Sequence, residues 1–155
     1  MDGTFRLIAN TTSSIAIITP LTIMADGLVR NDESVTKKGI ISGASLLTAM
    51  LLTTGIKFTI KRERPFNAST DIDKKIEVGG FSFPSGHTTA AFATATILSL
   101  EFPKWYVIAP SYLWAASVAY SRMFLGVHYP TDVLGGIVIG VGSSLLCFNA
   151  QRWIK

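Results

Sequence analysis

Five stretches of this chain carry no charged side chain: residues 7–25, 39–56, 88–100, 105–121 and 133–151. A run of roughly twenty apolar residues is what a helix needs to cross the hydrocarbon of a bilayer. Only 15% of the residues are charged, 48% are hydrophobic and the mean hydropathy is +0.41. A soluble domain is typically about 25% charged. At 155 residues the chain is long enough for one domain with one core. The expectation is an all-α fold, a compact membrane-embedded bundle of about five long helices with active-site loops at one end. Residues 1–155 are read as a single domain.

The first stretch, Leu7 to Ala25, is rich in Thr and Ser and contains Pro20. Asp26 to Lys38 reads as a polar connector, and Gly39 to Ile56 as a second, more apolar helix. Lys57 to Phe83 is the longest polar region. Arg64-Pro65 is expected to end the preceding helix, because proline disfavours the α conformation in the residue before it. Asp71 to Lys75 reads as a solvated loop and Gly79-Gly80 as a turn. Pro84-Ser85-Gly86-His87 opens the next helix, with Ser85 as its N-cap. The Ala and Thr of Thr88 to Leu100 allow close helix approach. Trp105 and Tyr106 begin the fourth uncharged stretch, where interfacial aromatics belong, and Tyr120 lies near its end. Gly136 and Gly140 form a GxxxG pair, expected to seat a neighbouring helix. In an up-down bundle the connectors after the second and fourth helices fall on one side. Every candidate catalytic residue lies in or beside them.

Several function classes are set aside. The net charge of +4 is modest, and no basic face with interleaved aromatics points to a nucleic-acid partner. The single Cys147 excludes an internal disulfide and most thiolate metal sites. No acidic cluster is present to hold Mg²⁺ or Ca²⁺, so no metal or other cofactor is expected. Met1 is followed by Asp2 and Gly3, which is not the start of a signal peptide.

Chemistry concentrates in Ser121 to Asp132, which holds one of the two histidines. Pro130 suits the first turn of a helix, where its fixed φ fits and its missing N–H is not needed. Asp132 then lies in that same turn, where the helix dipole favours its ionised form. His128, just upstream, is within reach of the carboxylate. Such a bond fixes the tautomer and leaves the other ring nitrogen free to attack. Lys57 and Arg64 are seven residues apart and would share a face if both were helical. With Arg122 they form a cationic set that calls for an anion, matching phosphate by guanidinium forks and an ammonium point charge. Ser85, Gly86 and His87 sit at a helix start, where free N–H groups favour an anion. Ser85 lacks the strand-turn-helix setting of a nucleophile and is read as a phosphate contact. Lys61 and Arg62 are read as snorkelling residues at a helix end.

Lys57-x6-Arg64-Pro65, Pro84-Ser85-Gly86-His87 and Ser121-Arg122-x5-His128-x3-Asp132 together resemble the three signature motifs of the type 2 phosphatidic acid phosphatase superfamily. The resemblance covers about half of the chain. It implies that His128 is the nucleophile and forms a phosphohistidine, that Asp132 orients it, and that His87 protonates the leaving oxygen. It assigns Lys57, Arg64, Arg122, Ser85 and Gly86 to the phosphate. Membrane members of the family have six crossings, with the first motif after the third. Here that motif follows the second, so the chain looks like the family core without its leading helix.

The resemblance implies a metal-independent hydrolase of a lipid phosphate or diphosphate, such as undecaprenyl diphosphate, phosphatidylglycerol phosphate or phosphatidate. Its partners are then the lipid substrate and the membrane, its location the bacterial inner membrane, and its active site faces the periplasm. The sequence specifies neither the lipid nor an oligomeric state. Selectivity is expected from Phe66 to Phe83 and the helix faces beside it. A second reading, a soluble acid phosphatase of small phosphomonoesters, draws on the Thr, Ser and Gly content of the helices. A vanadium haloperoxidase and a catalytically dead membrane scaffold are the remaining alternatives.

Overall fold

The computed structural model describes residues 2–68, 76 and 78–151, with every side chain among them except that of Asp2. Asp71 to Lys75, read above as a solvated loop, lies outside the described residues, as do Arg152 and Lys155. Five long helices form the bundle: α1 (Asp2–Val29), α2 (Glu33–Ile60), α4 (Gly86–Glu101), α5 (Trp105–Phe124) and α6 (Pro130–Ala150), with a short α3 (Pro65–Ala68) between the second and third of them. No strand occurs among the described residues.

Two expectations about boundaries are corrected. Asp26 to Lys38 is not a connector, because α1 runs to Val29 and α2 begins at Glu33. Asp26 pairs with Arg30 one turn on at 2.7 Å. Asp32 caps α2 by accepting the N–H groups of Ser34 (2.9 Å) and Val35 (3.1 Å). These polar side chains support helix ends and do not interrupt them. Lys57 and Arg64 do not share a helix face, because α2 ends at Ile60 and Lys61 takes a left-handed conformation (φ 50°). That residue turns the chain back over the end of the bundle.

The bundle reverses the polarity of a soluble protein. Its outward residues are large and apolar, among them Leu47, Leu51, Leu113, Leu134, Val138 and Leu146. Its inward residues are small: Gly39, Ser42, Ser45, Ala49 and Thr53 on α2, and Gly136, Gly140, Ser143, Ser144 and Cys147 on α6. Helices in lipid gain little from hiding apolar surface, so close packing and interhelical hydrogen bonds hold them. Gly136 and Gly140 show why glycine is needed. A Cβ at either would lie 2.8 Å from Ser85 O or 2.6 Å from Thr89 O, inside the backbone of α4. Ser144 Oγ meets Ser45 Oγ at 2.8 Å and donates to Ala93 O at 2.9 Å, tying α6, α2 and α4 at one point. Thr53 Oγ1 donates to Thr89 Oγ1 at 3.1 Å.

The stretches Gly3–Val29, Glu33–Ala68 and Pro130–Ala150 are long and apolar enough to cross a membrane. α4 is the shortest long helix and the most enclosed, packing against α1, α2, α5 and α6. Trp105 and Tyr106 are exposed at the start of α5, as expected of interfacial aromatics.

Candidate active site

The up-down order brings the C-terminal ends of α2 and α5 and the N-terminal ends of α4 and α6 to one end of the bundle. All eight residues singled out from the sequence lie there. The segment after α5 turns at Gly126, whose φ of 71° falls in the left-handed region that favours glycine. Leu125 and Val127 are fully buried beside Ala9, with Phe5, Phe66, Ile76 and Val78 around them. Anchored on this apolar floor, the next residue, His128, faces the polar side and is only 4% exposed.

Pro130 opens α6 and Asp132 is its third residue, as the sequence indicates. The Asp132 carboxylate is fully buried and saturated with donors. Oδ2 accepts from Ser82 Oγ at 2.5 Å and from the Tyr129 N–H at 2.8 Å. His128 Nδ1 stands 3.5 Å from that oxygen. Oδ1 accepts from Arg62 Nη1 at 2.8 Å. Ser82 Oγ also lies 3.4 Å from His128 Nδ1.

Phe83 wedges against Gly135, where a Cβ would come within 2.7 Å of the ring, and this sets the entry to α4 on α6. Ser85 is the N-cap residue of α4 but makes no side-chain cap bond. Its N–H donates to Asp132 O at 3.0 Å, and its Oγ accepts from Thr88 Oγ1 at 3.0 Å. Among the described residues the Ser85 hydroxyl proton therefore has no acceptor. A Cβ at Gly86 would meet nothing nearer than 3.9 Å, so packing does not demand glycine there. His87 follows in the first turn of α4.

The three cations lie close enough to act on both histidine rings. Lys57 Nζ donates to Phe81 O at 2.6 Å. Arg64 is buried and donates to Gly80 O (3.0 Å), Gly79 O (2.8 Å) and Val127 O (3.0 Å). It clamps two loops together with three of its five N–H groups, and the other two have no partner among the described residues. Arg122 is 3% exposed, and its Nε has no hydrogen-bond partner among the described residues. A buried guanidinium nitrogen without an acceptor is costly unless an anion completes it.

Both histidines are held neutral in the free protein. Burial pushes His128 down to about 4; its bond to Asp132 opposes this, while Arg64, Arg122 and Lys57 add to it. Burial likewise lowers His87 to about 4, reinforced by Arg122, His128, Arg64 and Lys57. The His87 ring thus feels the His128 ring and all three cations.

Ser82 was not among the residues singled out from the sequence, and Arg62 is not the snorkelling residue expected. Arg62 lies over the Tyr129 ring at 4.0 Å and reaches Asp132. The signal that could have found both is arithmetic. A carboxylate has about four acceptor positions, and one histidine fills only one. Among the described residues no group of three or more His, Cys, Asp or Glu is arranged to hold a metal ion.

A family model for the PAP2 superfamily matches residues 38–155. The lipid A 4'-phosphatase of Bacteroides thetaiotaomicron is 35% identical over 100 residues, 60% of this chain and 44% of that protein. The undecaprenyl-diphosphatase of Sulfolobus acidocaldarius is 34% identical over 116 residues, 74% of this chain and 56% of that protein. The chain thus spans about half the length of these curated relatives. The crystal structure of a transmembrane PAP2 type phosphatidylglycerolphosphate phosphatase from Bacillus subtilis superposes with a TM-score of 0.80 at 28% identity, covering 99% of this chain and 78% of that one.

Proposed function

This chain belongs to the PAP2 superfamily, and on that premise we propose that it is a membrane-embedded, metal-independent phosphatase hydrolysing a lipid phosphate or diphosphate through a phosphohistidine. The observation that carries the reading is the unmet demand for an anion. Lys57, Arg64 and Arg122 converge on two histidines, and buried Arg122 Nε has no partner among the described residues. A tetrahedral oxyanion supplies what is missing.

The chemistry follows from the geometry. His128 Nδ1 faces Asp132, which leaves Nε2 to attack phosphorus. The N–P bond forms as the bond from phosphorus to the leaving oxygen breaks, and His87 gives that oxygen its proton. Water then attacks the phosphohistidine, His87 takes a proton from it, and inorganic phosphate leaves with Nε2 restored. Lys57, Arg122 and the two remaining N–H groups of Arg64 balance the charge that grows on the phosphoryl oxygens. Such electrostatic stabilisation carries much of phosphoryl-transfer catalysis. Ser85 adds its hydroxyl proton.

The membrane-lipid reading is favoured over a soluble acid phosphatase by the three bilayer-length apolar helices and by the lipid phosphatases among the relatives. We place the site on the periplasmic face of the inner membrane. Arg30, Lys37, Lys38 and Lys104 lie at the opposite end of the bundle, but Arg6, Lys57, Lys61, Arg62, Arg64 and Arg122 lie at the site end, so the family resemblance and not the charge balance supports this placement. The lipid head group is the specificity still to be assigned. Phosphate release by the purified protein, across lipid phosphates, lipid diphosphates and a water-soluble phosphomonoester, tests the proposal. The expected result is preference for a lipid, with release abolished in His128→Ala. Wild-type rates in His128→Ala would overturn the mechanism.

A further inference from the structure

Arg62 lies outside the residues to which the family resemblance gives roles, yet it makes the only charge-assisted contact to Asp132 Oδ1 among the described residues. We propose that Arg62 is a positioning residue of the hydrolytic reaction, locking the Asp132 carboxylate so that its other oxygen faces the His128 ring. The proposal rests on the reading of His128 as the nucleophile.

Four observations support it. Arg62 Nη1 donates to Thr131 Oγ1 at 2.6 Å and to Asp132 Oδ1 at 2.8 Å, so one nitrogen spans the first turn of α6. The guanidinium lies 4.0 Å over the Tyr129 ring, which fixes its plane. The Arg62 carbonyl accepts the Ser82 N–H at 2.8 Å, so the donor to Oδ1 is tied to the donor to Oδ2. The pair is also not an ordinary surface ion pair. The Arg62 side chain is 36% exposed, but that of Asp132 is 0% exposed, out of reach of water. Surface pairs contribute little because water competes for both partners. Here water cannot replace the lost donor without entering the site.

The consequence concerns the histidine. With Oδ1 held by Arg62 and Oδ2 by Ser82 and the Tyr129 N–H, the carboxylate cannot rotate, and its charge is partly neutralised. Loss of Arg62 frees Oδ1 and makes the carboxylate more basic. Asp132 then pulls harder on the His128 Nδ1 proton and stabilises the imidazolium. The other groups facing His128 are Lys57 on α2, Arg64 before α3, Ser82, His87 on α4 and Arg122 on α5. The cations among them act against the imidazolium, so the change after losing Arg62 has one expected sign.

The test compares wild type, Arg62→Gln and Arg62→Lys, using a short-chain phosphatidate and imidazole NMR titration of the free protein. In Arg62→Gln, kcat falls roughly 10- to 100-fold, the size of loss seen when the outer partner that orients a metal-ligating side chain is removed. KM stays within about twofold, because Arg62 does not bind phosphate here. The His128 titration midpoint and the acid limb of kcat/KM both move to higher pH. Arg62→Lys restores the charge without the stacked, forked geometry and gives an intermediate kcat with a near-wild-type midpoint. An unchanged kcat, or a fall in kcat with an unmoved His128 midpoint, would overturn the proposal. If Arg62→Gln fails to fold, Arg62→Lys carries the test, with a lowered kcat expected and a wild-type kcat overturning the proposal. A wild-type protein that releases no phosphate from any of the lipid phosphates, lipid diphosphates and phosphomonoesters named above sinks the hydrolase reading; the NMR titration still decides whether Arg62 governs His128.

Discussion

The carbonyl oxygen of Thr89 lies 2.6 Å from the point that a Cβ on Gly140 would occupy. The backbone of α4 therefore lies against bare backbone of α6, and this contact aligns the start of α4 with the start of α6, where His87 and Asp132 stand. Gly140→Ala must push the helices apart. Overpacking of this kind costs about 1–3 kcal/mol, and small displacements at a catalytic pocket are expensive. The expected outcome is a lower Tm in detergent and lower kcat. Gly142→Ala is the control, because a Cβ there meets nothing within 4 Å. It should be neutral or gain up to about 1 kcal/mol from helix propensity. Equal Tm values for the two variants would refute the packing role.

Ser144 bridges three helices, meeting Ser45 Oγ at 2.8 Å and donating to Ala93 O at 2.9 Å. Both hydroxyls are buried. Ser144→Ala leaves Ser45 without its partner across the helix interface, and about 1–2 kcal/mol of stability should go with it. The double variant Ser45→Ala/Ser144→Ala should lose less than the sum of the two single changes, because no orphaned hydroxyl remains. Thermal unfolding of the four proteins in one detergent measures this coupling. Strict additivity would show that the bond contributes nothing.

How much of this was legible in the sequence depended on how local each feature is. Pro130 and Asp132 declared the start of α6, because a proline at the first helical position and an acid in the first turn are short-range signals. The five long helices followed from uncharged length. The extent of α1 and α2 did not, because Asp26, Arg30 and Asp32 look like loop residues in composition but serve as an ion pair and a cap. Arg62 was illegible for a different reason. Its partner is 70 residues away, and it reaches that partner only because Lys61 adopts a left-handed turn that few non-glycine residues take. Seven-residue spacing placed Lys57 and Arg64 together for the wrong reason: they meet because a loop folds back, not because one helix carries both.

The two depressed histidines set a pH signature. His128, at about 4 in the free protein, is neutral above that pH, as the proposed nucleophile must be. His87 also lies at about 4 and, in the proposed mechanism, must be protonated to serve the leaving oxygen. A bound phosphoryl anion favours the His87 imidazolium, so its pKa rises in the complex. The kcat optimum is therefore expected at higher pH than the kcat/KM optimum, and both profiles are bell-shaped. Titrating the free substrate separates its own ionisation. Superimposable profiles, or an alkaline limb that survives His87→Asn, would contradict the assignment.

The same depression makes stability depend on pH. The unfolded chain takes up a proton on His128 near 6.5, whereas the folded protein resists until about 4. Stability is therefore full above pH 6.5 and declines as pH falls towards 4, by on the order of 3 kcal/mol for this group. His128→Asn should flatten that part of the Tm–pH curve. An unchanged slope would place the pH dependence elsewhere.

Arg122 offers the sharpest separation of stability from function. Its side chain is 3% exposed and its Nε lacks an acceptor among the described residues, so the free protein bears the cost of an incompletely paired buried cation. Replacing such a charge by an apolar chain of similar length often leaves stability unchanged or raises it. Arg122→Met should accordingly match or exceed the wild-type Tm without ligand. Inorganic phosphate should raise the wild-type Tm in proportion to its occupancy. In Arg122→Met that response should weaken, since a charge-assisted hydrogen bond of about 2 kcal/mol corresponds to roughly thirtyfold in Kd. Turnover should fall further than phosphate affinity, because negative charge on the transferring group grows towards the transition state. Arg122→Lys should recover part of the phosphate response but little of the rate, an ammonium being a point charge where a fork is needed. A variant less stable than wild type in the absence of phosphate, with its response to phosphate intact, would show that Arg122 serves the fold and not the anion.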